Sequence, residues 1–268
     1  MALPDPQPES TALVTGASSG IGAAIARELA ARGHGLTLVA RREERLRTLA
    51  DELAGQHGVR AETIAADLGE EPARDAIEAE LAELGLTVEV LVNNAGFGGF
   101  GPFADQDRER ELAMLRLNVE AVVDLEARFL PAMVERGRGA VINIASTAAF
   151  QPIPDNATYA ATKAFVLSHG EAVHEELRGT GVTLTTVCPG PVKTEFAEVA
   201  GVGGAEERTP SIVWMTAEDV GEAAVKAAEK GQRAVVPGML NRAGSLAGQH
   251  APRSIALRLT RGIWRRAN

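Results

Sequence analysis

The sequence predicts an α/β protein: a single doubly wound parallel sheet sandwiched between helices in a three-layer αβα arrangement. Three observations carry this. Short β-branched runs alternate with longer stretches of helical period, the pattern of a βαβ series. Each strand-like run is apolar almost throughout, so both of its faces are expected to be covered, as in a parallel sheet. Finally, nothing within the 268 residues reads as a linker, and single α/β domains of this size are common.

In chain order, residues 1–9 form an N-terminal extension and the domain proper runs over 10–250. The first strand-like run, TALVTG at 11–16, ends in a glycine-rich turn that opens a helix over 20–32. LTLVA at 36–40 leads into a helix over 42–56, and another helix is expected over 70–84. EVLVNNAG at 89–96 precedes a long helix over 105–136, and AVINIAS at 140–146 precedes one over 156–180. VTLTTVCPG at 182–190 is followed by a Gly- and Ala-rich stretch, expected to be a mobile substrate loop at about 195–215. Helices over 217–230 and within 240–266 complete the pattern, and no repeat with a period of about 20–50 residues is evident.

Composition narrows the function classes. With 45% apolar and 24% charged residues the chain can bury a sizeable core. Cys188 is the one cysteine, which excludes an internal disulfide framework and a Cys-rich zinc site and fits a reducing, cytoplasmic setting. The start MALPDPQPES lacks a basic region followed by an apolar one, and no apolar run is long enough to span a bilayer, so neither secretion nor membrane spanning is expected. Net charge is −9, yet residues 251–268 hold five arginines and no acid, so the remaining body is more acidic still and disfavours nucleic acid as a partner. That tail resembles a basic amphipathic helix. Docking on the domain or on a neighbouring subunit is favoured over contact with a membrane surface.

In doubly wound sheets ligands bind beyond the carboxyl ends of the strands, and the motifs cluster there. After Thr15 come Gly16, Ser18, Ser19, Gly20, Ile21 and Gly22, where glycines permit a tight turn and the helix N-terminus attracts a pyrophosphate. After the second run, where an NAD enzyme would place an acid, stand Arg41 and Arg42. A guanidinium suits a 2′-phosphate, which favours NADP(H), with Arg41 the better candidate. The alternative is a solvated helix start paired with Glu43 and Glu44. Tyr159, the one tyrosine, is followed four residues on by Lys163, which places both on one helix face. An ammonium beside a phenol favours phenolate, so Lys163 is expected to tune Tyr159 as an acid/base. Ser146, at the end of AVINIAS, is placed to orient a substrate oxygen. His169 and His174, five apart, suit no shared metal on one helix face, and no metal is expected.

TGASSGIG, NNAG, Asn118, Ser146, YAATK and PGPVKT, in that order over about residues 10–195, resemble the short-chain dehydrogenase/reductase family, whose fold is Rossmann-type. The resemblance implies a catalytic tetrad of Asn118, Ser146, Tyr159 and Lys163. Ser146 would bond the substrate oxygen, Tyr159 exchange its proton, Lys163 hold the nicotinamide ribose and Asn118 anchor a relay water. It further implies that Asp67 and Leu68 sit at the adenine, that Asn93, Asn94, Ala95 and Gly96 line the cofactor, and that Pro189, Gly190, Val192 and Thr194 complete that site. A homodimer or homotetramer is implied as well. The expected activity is transfer of hydride between NADP(H) and a carbonyl or secondary alcohol. Phe97, Phe100, Phe103, Phe150, Ile153, Phe196, Val199, Val202, Trp214 and Met215 around the expected pocket point to an apolar substrate. Alternatives are a 3-oxoacyl thioester reductase and a non-catalytic NADP-binding regulator. A sugar-nucleotide epimerase or dehydratase is disfavoured because that type resembles longer chains.

Overall fold

Seven parallel strands form the sheet in the computed structural model, which describes residues 3–196, 211–254 and 257. They are β1 (Ser10–Thr15), β2 (Leu36–Ala40), β3 (Ala61–Ala65), β4 (Thr87–Asn93), β5 (Gly139–Ile144), β6 (Val182–Val187) and β7 (Ala234–Val235), in the order β3-β2-β1-β4-β5-β6-β7. The order reverses between β1 and β4, which opens a crevice at their carboxyl ends. Helices α1 (Gly20–Ala31), α2 (Glu43–His57), α3 (Glu71–Glu83), α4 (Arg108–Leu115), α5 (Ala121–Arg136), α6 (Ala157–Glu176), α7 (Ala217–Glu229) and α8 (Met239–His250) join them.

Strand alternation divides the interior into two cores. On one face Val14, Leu38, Val92 and Ile142 pack against Ile25 and Leu29 of α1 and Val220 and Ala224 of α7. On the other, Leu13, Val39, Leu91 and Val141 meet Ile77 and Leu81 of α3 and Leu125 and Met133 of α5. Gly221 lets α7 approach α1 closely, since a Cβ there would lie 2.9 Å from Ala24.

The expected α/β architecture is observed, with instructive differences. β3 and β7 were not among the sequence-predicted strands: both lie at the sheet edges, and both are largely incompletely buried, so they carry little apolar signal. The single helix expected over 105–136 is instead α4, a π turn at Arg116–Glu120 and α5, with Asp107 capping α4 by accepting from the Arg110 N–H. Helix α7 begins in a capping box of Thr216 and Asp219. Most of the expected substrate loop, at 197–210, and most of the C-terminal tail lie outside the described residues. Among the described residues no helix is long and apolar enough to cross a membrane.

Candidate active site

A cavity of about 720 Å³ opens along the carboxyl ends of the strands. Of the catalytic and cofactor residues singled out from sequence, all but Gly22, Asn93 and Asn118 line it.

The turn after β1 is drawn back onto the exit of β4. Gly16 has φ +65°, and a Cβ on it would lie 2.8 Å from Asn94 Nδ2 and 2.9 Å from Ala95 Cα. Gly22 is equally constrained, 2.5 Å from the Gly16 carbonyl, so it closes the turn rather than facing the cavity. Thr15, whose role sequence reasoning passed over, and Asn94, expected with its neighbours to line the cofactor, hold the loops together. Asn94 Nδ2 donates to Thr15 O (2.9 Å), and the Thr15 hydroxyl accepts from the N–H groups of Asn94 (2.9 Å) and Ala95 (3.0 Å). Ser19, the N-cap of α1, makes no side-chain cap, which leaves the helix N-terminal donors to a ligand.

Asn93, expected at the cofactor, is placed elsewhere. It is buried, and its Nδ2 donates to Asn143 Oδ1 (3.0 Å) and Glu126 Oε1 (3.4 Å). Successive residues on a strand face opposite ways, so the doublet sends Asn94 to the glycine turn and Asn93 to the far side. Glu126 also accepts from Asn143 Nδ2 (2.7 Å) and pairs with His169 Nε2 (2.9 Å), and this bond is the main cause that raises the His169 pKa. His174 Nδ1 bonds the Leu184 carbonyl.

At one end of the cavity Arg42 is fixed on the glycine turn, its Nη2 donating to Ser18 Oγ (3.0 Å) and Ser19 Oγ (2.8 Å). Arg41 is more exposed and lies 3.7 Å from Asp67 Oδ2. The better-anchored guanidinium is therefore Arg42, where sequence had favoured Arg41. Glu195 bridges Arg42 Nη1 and Arg45 Nη1 at 2.7 Å each, and the two guanidinium groups hold its carboxyl down at about 2. Asp67 accepts from the Gly69 N–H (3.0 Å). The Leu68 carbonyl is held by buried Arg74 (2.8 Å), itself paired with Asp124 and Glu120.

At the centre, Ser146 ends the β5 exit and caps the following 3-10 turn by accepting from the Ala148 N–H (3.1 Å). Burial pushes the Tyr159 phenol up to about 12, with hydrogen bonding to Ser146 pulling the other way. Lys163 is buried, donates to the Ile144 carbonyl (2.8 Å), and is pushed down by burial to about 8. Its Nζ lies 5.8 Å from the Tyr159 ring centroid. Desolvation therefore dominates at the phenol, and the group that opposes it is Ser146 rather than the ammonium expected to do so. Asn118 sits in the π turn, one layer behind the cavity. Its Oδ1 accepts from the Phe97 N–H (3.1 Å), and its Nδ2 donates to Phe97 O (2.9 Å) and Thr162 Oγ1 (3.2 Å). Thr162, another residue passed over, donates in turn to the Tyr159 carbonyl (2.7 Å).

A family profile described as short chain dehydrogenase matches residues 10–202. The chain belongs to the short-chain dehydrogenase family. It is 40% identical over 189 residues to a short chain dehydrogenase of Pseudocercospora fijiensis, covering 69% of this chain and 60% of that one. To a putative ketoacyl reductase of Streptomyces coelicolor it is 41% identical over 193 residues, covering 71% and 74%. The structure of a short-chain dehydrogenase from Sphingobium yanoikuyae in complex with NADPH superposes with a TM-score of 0.79 at 35% identity, covering 89% of this chain and 92% of that one.

The residues of this short-chain dehydrogenase fit a dinucleotide carrying a 2′-phosphate. Gly16 and Gly20 leave a cradle that a Cβ would fill, and serines and arginines supply donors at one end. The opposite end is walled by Phe150, Ile153, Phe196, Val213 and Leu240. The Phe196 ring lies 5.5 Å from that of Tyr159. Helix α8 closes this wall through Asn241, whose Nδ2 donates to Val213 O (3.1 Å) and whose side chain fills the space a Gly190 Cβ would need. That contribution had no signal in the sequence beyond helical period. Phe97 also lines the cavity, whereas Phe103 is exposed, Met215 packs against the core, and Phe100 and Trp214 lie off the wall. Val199 and Val202 lie outside the described residues.

Proposed function

We propose that this protein is an NADP(H)-dependent oxidoreductase that transfers hydride between the nicotinamide and a carbonyl or secondary alcohol on a substrate with an apolar body. One observation carries this: Ser146, Tyr159 and Lys163 meet in a single cavity that runs from Arg41 and Arg42 to an apolar wall. The NADPH complex of the Sphingobium relative supports the cofactor.

NADPH, when bound, supplies the hydride. Arg42, with Arg41, holds the 2′-phosphate, and Ser18, Ser19 and the open N-terminus of α1 receive the pyrophosphate. Asp67 and Leu68 border the adenine; Ala95, Gly96, Pro189, Gly190, Val192 and Thr194 complete the channel. Lys163 holds the nicotinamide ribose, Ser146 orients the substrate oxygen, and Tyr159 moves a proton at its hydroxyl oxygen. With its pKa at about 12, Tyr159 is a phenol at neutral pH, a proton donor suited to carbonyl reduction. Asn118 keeps the Gly96–Phe97 segment and α6 in register and borders the relay path.

The test is titration with NADPH and NADH by fluorescence, followed by NADPH consumption across ketones, aldehydes and 3-oxoacyl thioesters. Preferred NADPH binding with turnover of ketones or aldehydes is the expected result. Turnover confined to thioesters would select the second reading, a 3-oxoacyl reductase, which the Streptomyces relative favours. Tight binding without turnover of any carbonyl would select a regulator.

The same proposal includes a homodimer or homotetramer, supported by exposed Leu115, Val123 and Phe165 on α4, α5 and α6. A cytoplasmic setting is supported by Cys188, buried and with its thiol pushed up to about 12, which suits an inert core residue.

A further inference from the structure

Glu195 follows Thr194 at the mouth of the cavity and holds two arginines at once. Its two carboxylate oxygens each lie 2.7 Å from a guanidinium nitrogen, one on Arg42 and one on Arg45. These arginines are the N-cap and third residues of α2, one helical turn apart, so both project from the same helix start. Arg42 needs no help from Glu195 to stay in place, because Ser18 and Ser19 already hold its other nitrogens on the glycine turn. With Arg41 beside Asp67, the site has three guanidinium groups facing two carboxylates.

We infer that Glu195 is a built-in competitor for the 2′-phosphate of NADP(H), and that Arg45 is a further phosphate-binding residue whose charge Glu195 masks. Both statements rest on the NADP(H) reading above. The chemistry of the donors supports the exchange. A guanidinium pair that accepts a carboxylate in this geometry offers the same fork to a phosphate. A phosphate monoester carries more charge than a carboxylate near neutral pH and presents three acceptor oxygens rather than two. The Glu195 pairs are also cheap to break, for Arg42, Arg45 and Glu195 are each 41–50% exposed, and ion pairs that open to water contribute little. Glu195 therefore lowers affinity for a ligand whose anionic group must reach Arg42 and Arg45, which among the nicotinamide dinucleotides is the one that carries a 2′-phosphate. A nucleotide without that group has no quarrel with it. In this arrangement Glu195 sets how strongly the protein prefers NADP(H) to NAD(H), and removing its charge sharpens the preference.

The experiment is calorimetric titration of the full-length protein with adenosine 2′,5′-bisphosphate and with adenosine 5′-monophosphate. These probes carry the phosphates in question without the nicotinamide, so binding is read apart from turnover. The wild type is expected to prefer the bisphosphate. Glu195→Gln should tighten bisphosphate binding about three- to fivefold and leave the monophosphate unchanged. Arg45→Ala should weaken the bisphosphate about tenfold, and in that background the Glu195→Gln gain should shrink. Circular dichroism melts confirm that each variant is folded. If Glu195→Gln leaves bisphosphate affinity unchanged, weakens it, or shifts both probes alike, Glu195 is only a tether and the inference falls. Should Arg45→Ala not weaken the bisphosphate, the role of Arg45 falls with it. A wild type that does not distinguish the probes overturns the NADP(H) reading itself, a result readable before any variant is made.

Discussion

Around the Tyr159 end of the cavity, Lys163 in its wall and Asn118 and Thr162 behind it are each at most 5% exposed, and their side chains are bonded within the protein. Arg41, Arg42 and Arg45 at the other end are 43–73% exposed and pair with carboxylates in contact with water. Buried polar groups are costly to leave unpaired, so a change at the Tyr159 end disturbs the fold along with the chemistry proposed there. Exposed charges are easily re-paired, so the arginine end can exchange one anion for another at little cost to the fold. On the proposed function, the contrast separates the alignment of reacting atoms, held by buried bonds, from the recognition of the cofactor phosphate, held by exposed ones.

The sharpest test of that contrast is Tyr159→Phe. Turnover should fall by about 10²–10⁴ while NADPH affinity, measured by calorimetry, is retained. Undiminished turnover would remove Tyr159 from the chemistry. Next, Asn118→Ala leaves the Phe97 N–H and carbonyl and the Thr162 hydroxyl short of a partner. Denaturant unfolding should show a loss of about 1–3 kcal/mol, and turnover should drop with it. Arg42→Ala is the counterpart at the exposed end: NADPH should bind about 10- to 100-fold more weakly, NADH unchanged, and stability within about 0.5 kcal/mol. A marked loss of stability in that variant would break the comparison.

A smaller effect follows from His169, whose pKa is raised above its ordinary 6.5 by the hydrogen bond to Glu126. The folded state binds this proton more tightly than the unfolded chain. Its contribution is therefore complete below pH 6.5 and is lost as pH rises through the folded pKa. Melting curves of wild type and His169→Gln, from pH about 5 to about 9, should converge toward the alkaline side. The smallest effect is expected from Glu222→Gln, which breaks the exposed pair with Lys226 on α7. Unfolding free energy should change by no more than about 0.5 kcal/mol.

Much of the fold was legible because periodicity is a local property. The apolar runs became β1, β2, β4, β5 and β6, while β3 and β7, half-exposed at the edges, lacked the apolar contrast that marks a strand. The Tyr159–Lys163 pair was equally legible, since helix geometry alone puts residues four apart on one face. The π turn at Arg116–Glu120 left no such trace, because its register answers to what Asn118 must reach across the fold.

By itself, then, the sequence determined the α/β class, the glycine turn, the Tyr159–Lys163 helix face and the cationic end of the site, all features spelled out by residues within a few positions of one another. Tertiary structure alone decided that Asn94 rather than Asn93 faces the glycine turn and that Arg42 rather than Arg41 is anchored on Ser18 and Ser19. It also decided that Glu195 reaches Arg42 across 153 positions and that α8 walls the substrate end. A side chain's partner is set by which surfaces packing brings together, and when the partner is distant along the chain no local pattern records it.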